Sequence, residues 1–371
     1  MSERQKQEKE HKNTAGVYLY VAWGRLQAGD GTATRLTERS KVFYSVRMST
    51  IRMALTALVS IGLLAGIGSV VYAKHYDWSA MIQAVGFWGN QYLYVADWNN
   101  SRIQKFKSGT YVNQFGVSGP EKGQLQGPNF IAADSKGNFW VADQENHRVE
   151  EFDSSGMYVS EFGSLGTGNG QFNKPMGIAV DSNDNIWVTD NVNHNLKEFS
   201  SAGTWIQTVG SKGSSNGQFN SPEAVVIDSH GDIWVADCLN NRVESFSSSG
   251  TYKSQFGTVG TRNGQLNQPT GLAFDAEGRL WVTDFGNDRV ETFTAIGVYI
   301  SQVGGRGSGN GQLFRPFGIA IDPHGNVWIS DQGNSRLVEF SSSGIYKNQF
   351  GGYGKESGHF KMPTGIAFSS Q

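Results

Sequence analysis

The chain has 371 residues, long enough for one large domain or two ordinary ones, and its 48 glycines follow no three-residue, collagen-like period. The formal net charge of −2 is unevenly spread: residues 1–89 hold 11 Lys/Arg against 6 Asp/Glu, whereas residues 90–371 hold 20 against 27. An acidic main part argues against a nucleic-acid surface, and the single cysteine, Cys238, excludes an intrachain disulfide.

In chain order, residues 1–52 are polar and basic without a sustained period, and are expected to be a disordered tail. Residues 53–73, "MALTALVSIGLLAGIGSVVYA", carry no charge over 21 positions. At about 1.5 Å rise per residue such a helix crosses a hydrocarbon core of roughly 30 Å. Ten Lys/Arg precede it, so the positive-inside rule predicts a single-pass anchor at the cell membrane, with residues 74–371 outside the cytoplasm. The alternative is a signal segment cleaved near Val71-Tyr72-Ala73, giving a secreted protein. Residues 74–89 read as a linker.

Residues 90–371 number 282, or six times 47, and prolines recur every 47 residues at 128, 175, 222, 269, 316 and 363. Each unit has short runs rich in β-branched and aromatic residues, such as "GIAVD" and "IWVTD", separated by Gly/Asn/Asp/Ser turns. That is four strands per unit, the period of a propeller blade. The first unit lacks the leading strand and the last, "MPTGIAFSSQ", has only that strand. The C-terminal strand is therefore expected to complete the first blade and close the ring. The first unit is also one residue short, a deletion that falls in the tight turn after its third strand.

The segments "DQENHRVEEF" (143–152), "DNVNHNLKEF" (190–199), "DCLNNRVESF" (237–246), "DFGNDRVETF" (284–293) and "DQGNSRLVEF" (331–340) resemble NHL repeats. The resemblance spans all six units. It implies an all-β, six-bladed β-propeller over residues 90–371 and decides little about function, since NHL propellers serve as protein-binding platforms, sensor domains, RNA-binding domains and, in some relatives, lyases.

Residues present in every blade are expected to build blades. Asp97, Asp143, Asp190, Asp237, Asp284 and Asp331 end the second strands, followed five residues later by Arg102, Arg148, Arg242, Arg289 and Arg336. Such a carboxylate and guanidinium are expected to form a bidentate pair that holds the loop. The third copy has Asn195 instead, leaving Asp190 either to a neighbouring donor or water, or to a specialised pocket. His147 and His194 occupy one loop position in adjacent blades and are not spaced to share a zinc ion. No metal or cofactor site is expected. The turns "DSNDN" (181–185) and "DSHGD" (228–232) read as Asp-initiated β-turns rather than calcium loops, and the connectors "GTGNGQ" and "GRGSGNGQ" as inter-blade links rather than phosphate cradles.

Function is then sought where positions vary. Trp98, Gln144, Asn191, Cys238, Phe285 and Gln332 follow the strand-ending Asp; Asn129, Met176, Glu223, Thr270, Phe317 and Thr364 follow the Pro. The second set is expected to ring the channel mouth, with the first further out and Trp98, Phe285 and Phe317 exposed as aromatic anchors. The expected protein is a monomeric propeller presenting these loops to a protein, peptide or glycan. The alternative is an exported lyase or hydrolase with a metal in the channel.

Overall fold

The computed structural model describes residues 91–369. The expected tail, the apolar run at 53–73 and the linker lie outside the described residues, among which no helix is long and apolar enough to cross a membrane.

Six four-stranded antiparallel sheets form an all-β, six-bladed propeller. In the second blade the strands run outward as Pro128–Ala133, Phe139–Asp143, Arg148–Phe152 and Tyr158–Phe162. The C-terminal strand Pro363–Ser369 pairs antiparallel with Tyr92–Asp97, Tyr94 facing Ala367 and Val95 facing Ile366. The ring closes as expected, and the first strand is no longer an open edge.

Burial explains the composition of each strand. The second and third strands of a blade, such as Phe139–Asp143 and Arg148–Phe152, are buried along their whole length because both faces meet neighbouring blades. The outermost strands, such as Tyr252–Phe256, are largely solvated and correspondingly polar. The core therefore lies between blades: Trp187 and Leu196 of the third pack with Val225 and Val235 of the fourth, sealed by Phe219 from the connector. A fully buried side chain of this size stabilises by roughly 1.5–3 kcal/mol.

The turns carry the expected chemistry. In the first blade Ser108 (φ 51°) and Gly109 (φ 75°) make a two-residue hairpin turn, at the point where the sequence is one residue short. In "DSHGD", Asp228 Oδ1 accepts the amides of His230 (2.8 Å) and Asp232 (3.0 Å), while Oδ2 accepts Trp234 Nε1 (3.1 Å). In "DSNDN", Asp181 Oδ1 accepts the amides of Asn183 and Asn185 at 2.8 and 2.9 Å.

The innermost strands approach each other closely. A Cβ on Gly177 would lie 2.2 Å from the Glu223 carbonyl oxygen of the next blade. The Thr189 hydroxyl bridges the gap, accepting from Gly177 N (2.7 Å) and donating to Glu223 O (2.6 Å). This contact sets the backbone on which Glu223 is presented.

Candidate functional site

The repeated polar residues form a clip between each strand-ending Asp and the connector that precedes its blade's inner strand. In the second blade Asp143 Oδ2 accepts Asn146 Nδ2 (2.7 Å) and Arg148 Nε (3.0 Å), and Oδ1 accepts the amide of Gln126 (2.6 Å). The arginine's two outer nitrogens go elsewhere, to the carbonyls of Pro120, Glu121 and Gln124 and to the side chains of Glu161 (2.9 Å) and Glu150 (3.0 Å). The expected bidentate pair is thus corrected: one guanidinium nitrogen meets the carboxylate, and the rest of the fork ties down the connector. Arg102, Arg242, Arg289 and Arg336 likewise bind Asp97, Asp237, Asp284 and Asp331 through Nε at 2.7–2.8 Å. Burial pushes these carboxyls up, against the pull of their Asn, amide and Arg partners.

In the third blade a neighbouring donor takes over. Lys197 Nζ lies 3.1 Å from Asp190 Oδ2 and donates to the carbonyls of Gly168 and Gln171. Those two are the third-blade counterparts of Glu121 and Gln124. Lys197 thus supplies Asp190 with the cation that Asn195 does not.

His147 and His194 are also structural. Each sits at positive φ, and its Nδ1 accepts an amide of the next connector: Lys174 N at 3.1 Å and Ser221 N at 3.0 Å. Asn241 and Asp288 accept in the same way in the fourth and fifth blades, from Gln268 and Arg315.

The twelve variable positions do not form one ring of exposed loops. Phe317 is buried, against the expectation of an exposed anchor, while Trp98 and Phe285 are half-buried. The Phe317 ring lies 5.6 Å from that of Phe130, although their inner strands belong to the sixth and second blades, which are separated by the first. They meet because the intervening inner strand offers only Thr364 and Gly365 at that level. Met176, Gln332 and Thr364 are buried as well. Trp98 Nε1 (2.9 Å) and Asn129 Nδ2 (3.0 Å) both donate to Gln144 Oε1, joining the first two blades.

Six of the twelve positions converge. Asn191, Glu223, Cys238, Thr270, Phe285 and Phe317 line a cleft of about 260 Å3 on the third to sixth blades. Ser221, Leu239 and Gln268 complete it; sequence reasoning missed them because they adjoin the variable positions instead of occupying them. Phe285 meets Phe317 edge to face, ring centres 6.2 Å apart, and makes the aromatic wall.

Glu223 is the one carboxylate among these residues. It is 9 % exposed, and its Oε2 has no hydrogen-bond partner. Its Oε1 is 3.5 Å from Asn191 Nδ2, which also donates to Pro222 O at 3.1 Å. Burial alone lifts the carboxyl to about 8, with no neighbouring cation to pull it back. The Cys238 thiol is buried too, and burial, Glu223 and Asp237 all push it up. It behaves as a small apolar residue.

A catalytic metal does not fit this cleft. Among the described residues no three His, Cys, Asp or Glu converge. The cleft offers one carboxyl, a protonated thiol and no imidazole, short of the usual three protein ligands.

Residues 77–351 match the virginiamycin B lyase family. No curated protein matches the chain. Among solved structures, a streptogramin B lyase superposes with TM-score 0.53 at 15% identity, covering 69% of this chain and 78% of the other. A catalytically inactive virginiamycin B lyase from Staphylococcus aureus, solved with quinupristin, gives 0.51 at 16%, with 72% and 85% covered. A chain of a nidogen/laminin complex gives 0.55 at 18%, with 75% and 98% covered. At these identities the likeness shows the fold alone.

Proposed function

The chain belongs to the virginiamycin B lyase family, and within that fold we propose that it is a binding module, an NHL-like propeller that takes its ligand in the Glu223–Phe285 cleft. Residues 53–73 hold it in the membrane with the propeller outside the cytoplasm, and the ligand is a protein, peptide or glycan group that enters between the loops of the third to sixth blades. The observation that carries this reading is the convergence of six variable positions on one cleft while the repeated polar residues are taken up by the scaffold. Variable side chains on a rigid frame are how propellers and other scaffolds carry specificity.

The test is capture on peptide and glycan arrays by the full-length chain, repeated with Phe285→Ala. A set of ligands whose capture falls at least about tenfold in the variant supports the reading, in line with the loss of an aromatic anchor. Ligands captured equally by both would sink it.

A second reading, elimination chemistry in the same cleft, is favoured by the family match and by a carboxyl that burial keeps protonated near neutral pH, as a proton donor requires. Quinupristin, present with the Staphylococcus aureus relative, is the first compound to incubate with the chain. Its consumption by mass spectrometry, lost in Glu223→Gln, would establish that reading.

A further inference from the structure

The polar groups facing the cleft are not balanced. The amide nitrogen of Asn191 donates to Pro222 O at 3.1 Å and lies 3.5 Å from Glu223 Oε1. Glu223 Oε2 has no donor at all. The Thr270 hydroxyl is held within the ring by Thr283 Oγ1 (2.8 Å) and Phe317 O (3.0 Å). Ser221 and Gln268 at the rim can donate or accept and decide nothing. What the cleft lacks is a countercharge for Glu223, and what it offers is an unpartnered carboxyl oxygen beside aromatic surface.

Among the described residues no cation pairs with Glu223. The flanking inner strands Pro175–Val180 and Pro269–Phe274 carry no titratable side chain. Asp190 and Asp237, ending the neighbouring second strands, are paired with Lys197 and Arg242. Cys238 is uncharged, and Arg315 stacks over Phe285 at 5.8 Å and over Phe314 at 5.5 Å. A carboxylate this deep is costly without a partner, and two phenyl rings beside it favour a cation over a neutral donor.

We propose that the cleft recognises a primary ammonium on a short apolar stem, which pairs with Glu223 as a carboxylate and lies against Phe285 and Phe317. This rests on the cleft-binding reading and names its ligand class. A lysine side chain and the free amino terminus of a peptide share that chemistry. Binding must displace the proton that burial keeps on Glu223, so one proton leaves per ammonium bound.

The probe is pentylammonium, with 1-pentanol as its neutral counterpart, titrated calorimetrically into the full-length chain between pH 6 and 9. Affinity for pentylammonium is expected to rise about tenfold per pH unit below the carboxyl's value and to level off above it. About one proton should be released near pH 7, and pentanol should bind at least about tenfold more weakly. Glu223→Gln, checked for an unchanged melting temperature, should abolish both the preference and the pH dependence. Equal binding of the two probes, or pentylammonium affinity unchanged in Glu223→Gln, overturns the proposal. If both probes then bind and Phe285→Ala weakens them alike, the cleft-binding reading survives. If Phe285→Ala changes neither probe nor array capture, that reading fails as well. Peptides acetylated either at lysine or at the amino terminus separate the two sources. Loss of capture on one acetylation identifies the group, and loss on neither counts against an ammonium ligand.

Discussion

Lys197 Nζ lies 3.1 Å from Asp190 Oδ2, in the place where other blades bring an arginine from two residues earlier. The third blade has exchanged both members of a pair. Arg-x-Glu, as in Arg148 and Glu150, has become Asn-x-Lys, as in Asn195 and Lys197. One cation still reaches the Asp and the two connector carbonyls. Lys197 is only 1 % exposed, so removing it leaves a buried carboxylate without countercharge. Lys197→Met is expected to cost about 3–5 kcal/mol. The double exchange Asn195→Arg with Lys197→Glu rebuilds the clip of the other blades and should recover most of that loss. Chemical denaturation of the single and double variants gives both values; a double variant no better than Lys197→Met would show that the two exchanges are not compensatory.

Glu150, Glu244 and Glu291 lie beside the clip arginines, each with an unpartnered Oε2, and burial raises them to about 8, 7 and 7. The folded chain therefore keeps protons that the unfolded chain has shed above about pH 5. Stability from these groups is full below the unfolded carboxyl range and is lost as pH rises through 7 to 8. The first blade shows the remedy. Gln104 occupies the same position, donates through Nε2 to His359 O (2.7 Å) and accepts the Gly358 amide (2.8 Å) through Oε1. Glu150→Gln, Glu244→Gln and Glu291→Gln together should raise the melting temperature at pH 8.5 more than at pH 5.5 and flatten the profile between them. An unchanged slope in thermal scans would contradict this.

How much of this could be read from the sequence depends on locality. The blades, the ring closure and the Asp–Arg clip are patterns copied along the chain, so six copies disclose them. The exchange at 195 and 197 was visible only in part. Asn195 stood out, but the Lys in a position mostly held by Glu or Gln was the signal that completed it. The cleft was not legible, because which variable positions converge depends on contacts between distant blades. Phe130 reaching Phe317 past the first blade, and the lack among the described residues of a cation paired with Glu223, are facts of three dimensions.

His194 gives a second pH effect of opposite sign. Its Nδ1 must stay unprotonated to accept Ser221 N. Burial, then Lys212, depress its value below the ordinary histidine range. The unfolded chain takes up the proton first, so this contribution is present above about pH 6.5 and fades as pH falls. Asn241 performs the same acceptance in the fourth blade. His194→Asn should therefore keep stability within about 1 kcal/mol at pH 7.5 and lessen its decline between pH 6.5 and 5. Equilibrium denaturation at the three pH values measures it, and an unaltered acid decline would place that sensitivity elsewhere.

The position of Glu223 depends on Gly177. A methyl there would lie 2.2 Å from Glu223 O, 2.8 Å from Val225 N and 2.9 Å from Ala224 Cα, all backbone atoms that cannot rotate aside. Gly177→Ala must push the third and fourth inner strands apart and stretch the Thr189 bridge at 2.7 and 2.6 Å. Overpacking of this kind costs about 1–3 kcal/mol. Gly271, Gly318 and Gly365 hold the equivalent place in the fifth, sixth and first blades, where a Cβ would lie 2.4, 2.2 and 2.6 Å from a carbonyl oxygen of the next inner strand; only the second and fourth blades, with Phe130 and Ala224, do without the glycine. Because the displaced strand carries Glu223, Gly177→Ala should also weaken ligand capture, whereas Thr189→Ser, which keeps the bridging hydroxyl, should not. Melting temperature and array capture for both variants test this. Gly177→Ala with a lowered melting temperature but full capture would show that the cleft tolerates movement of its floor.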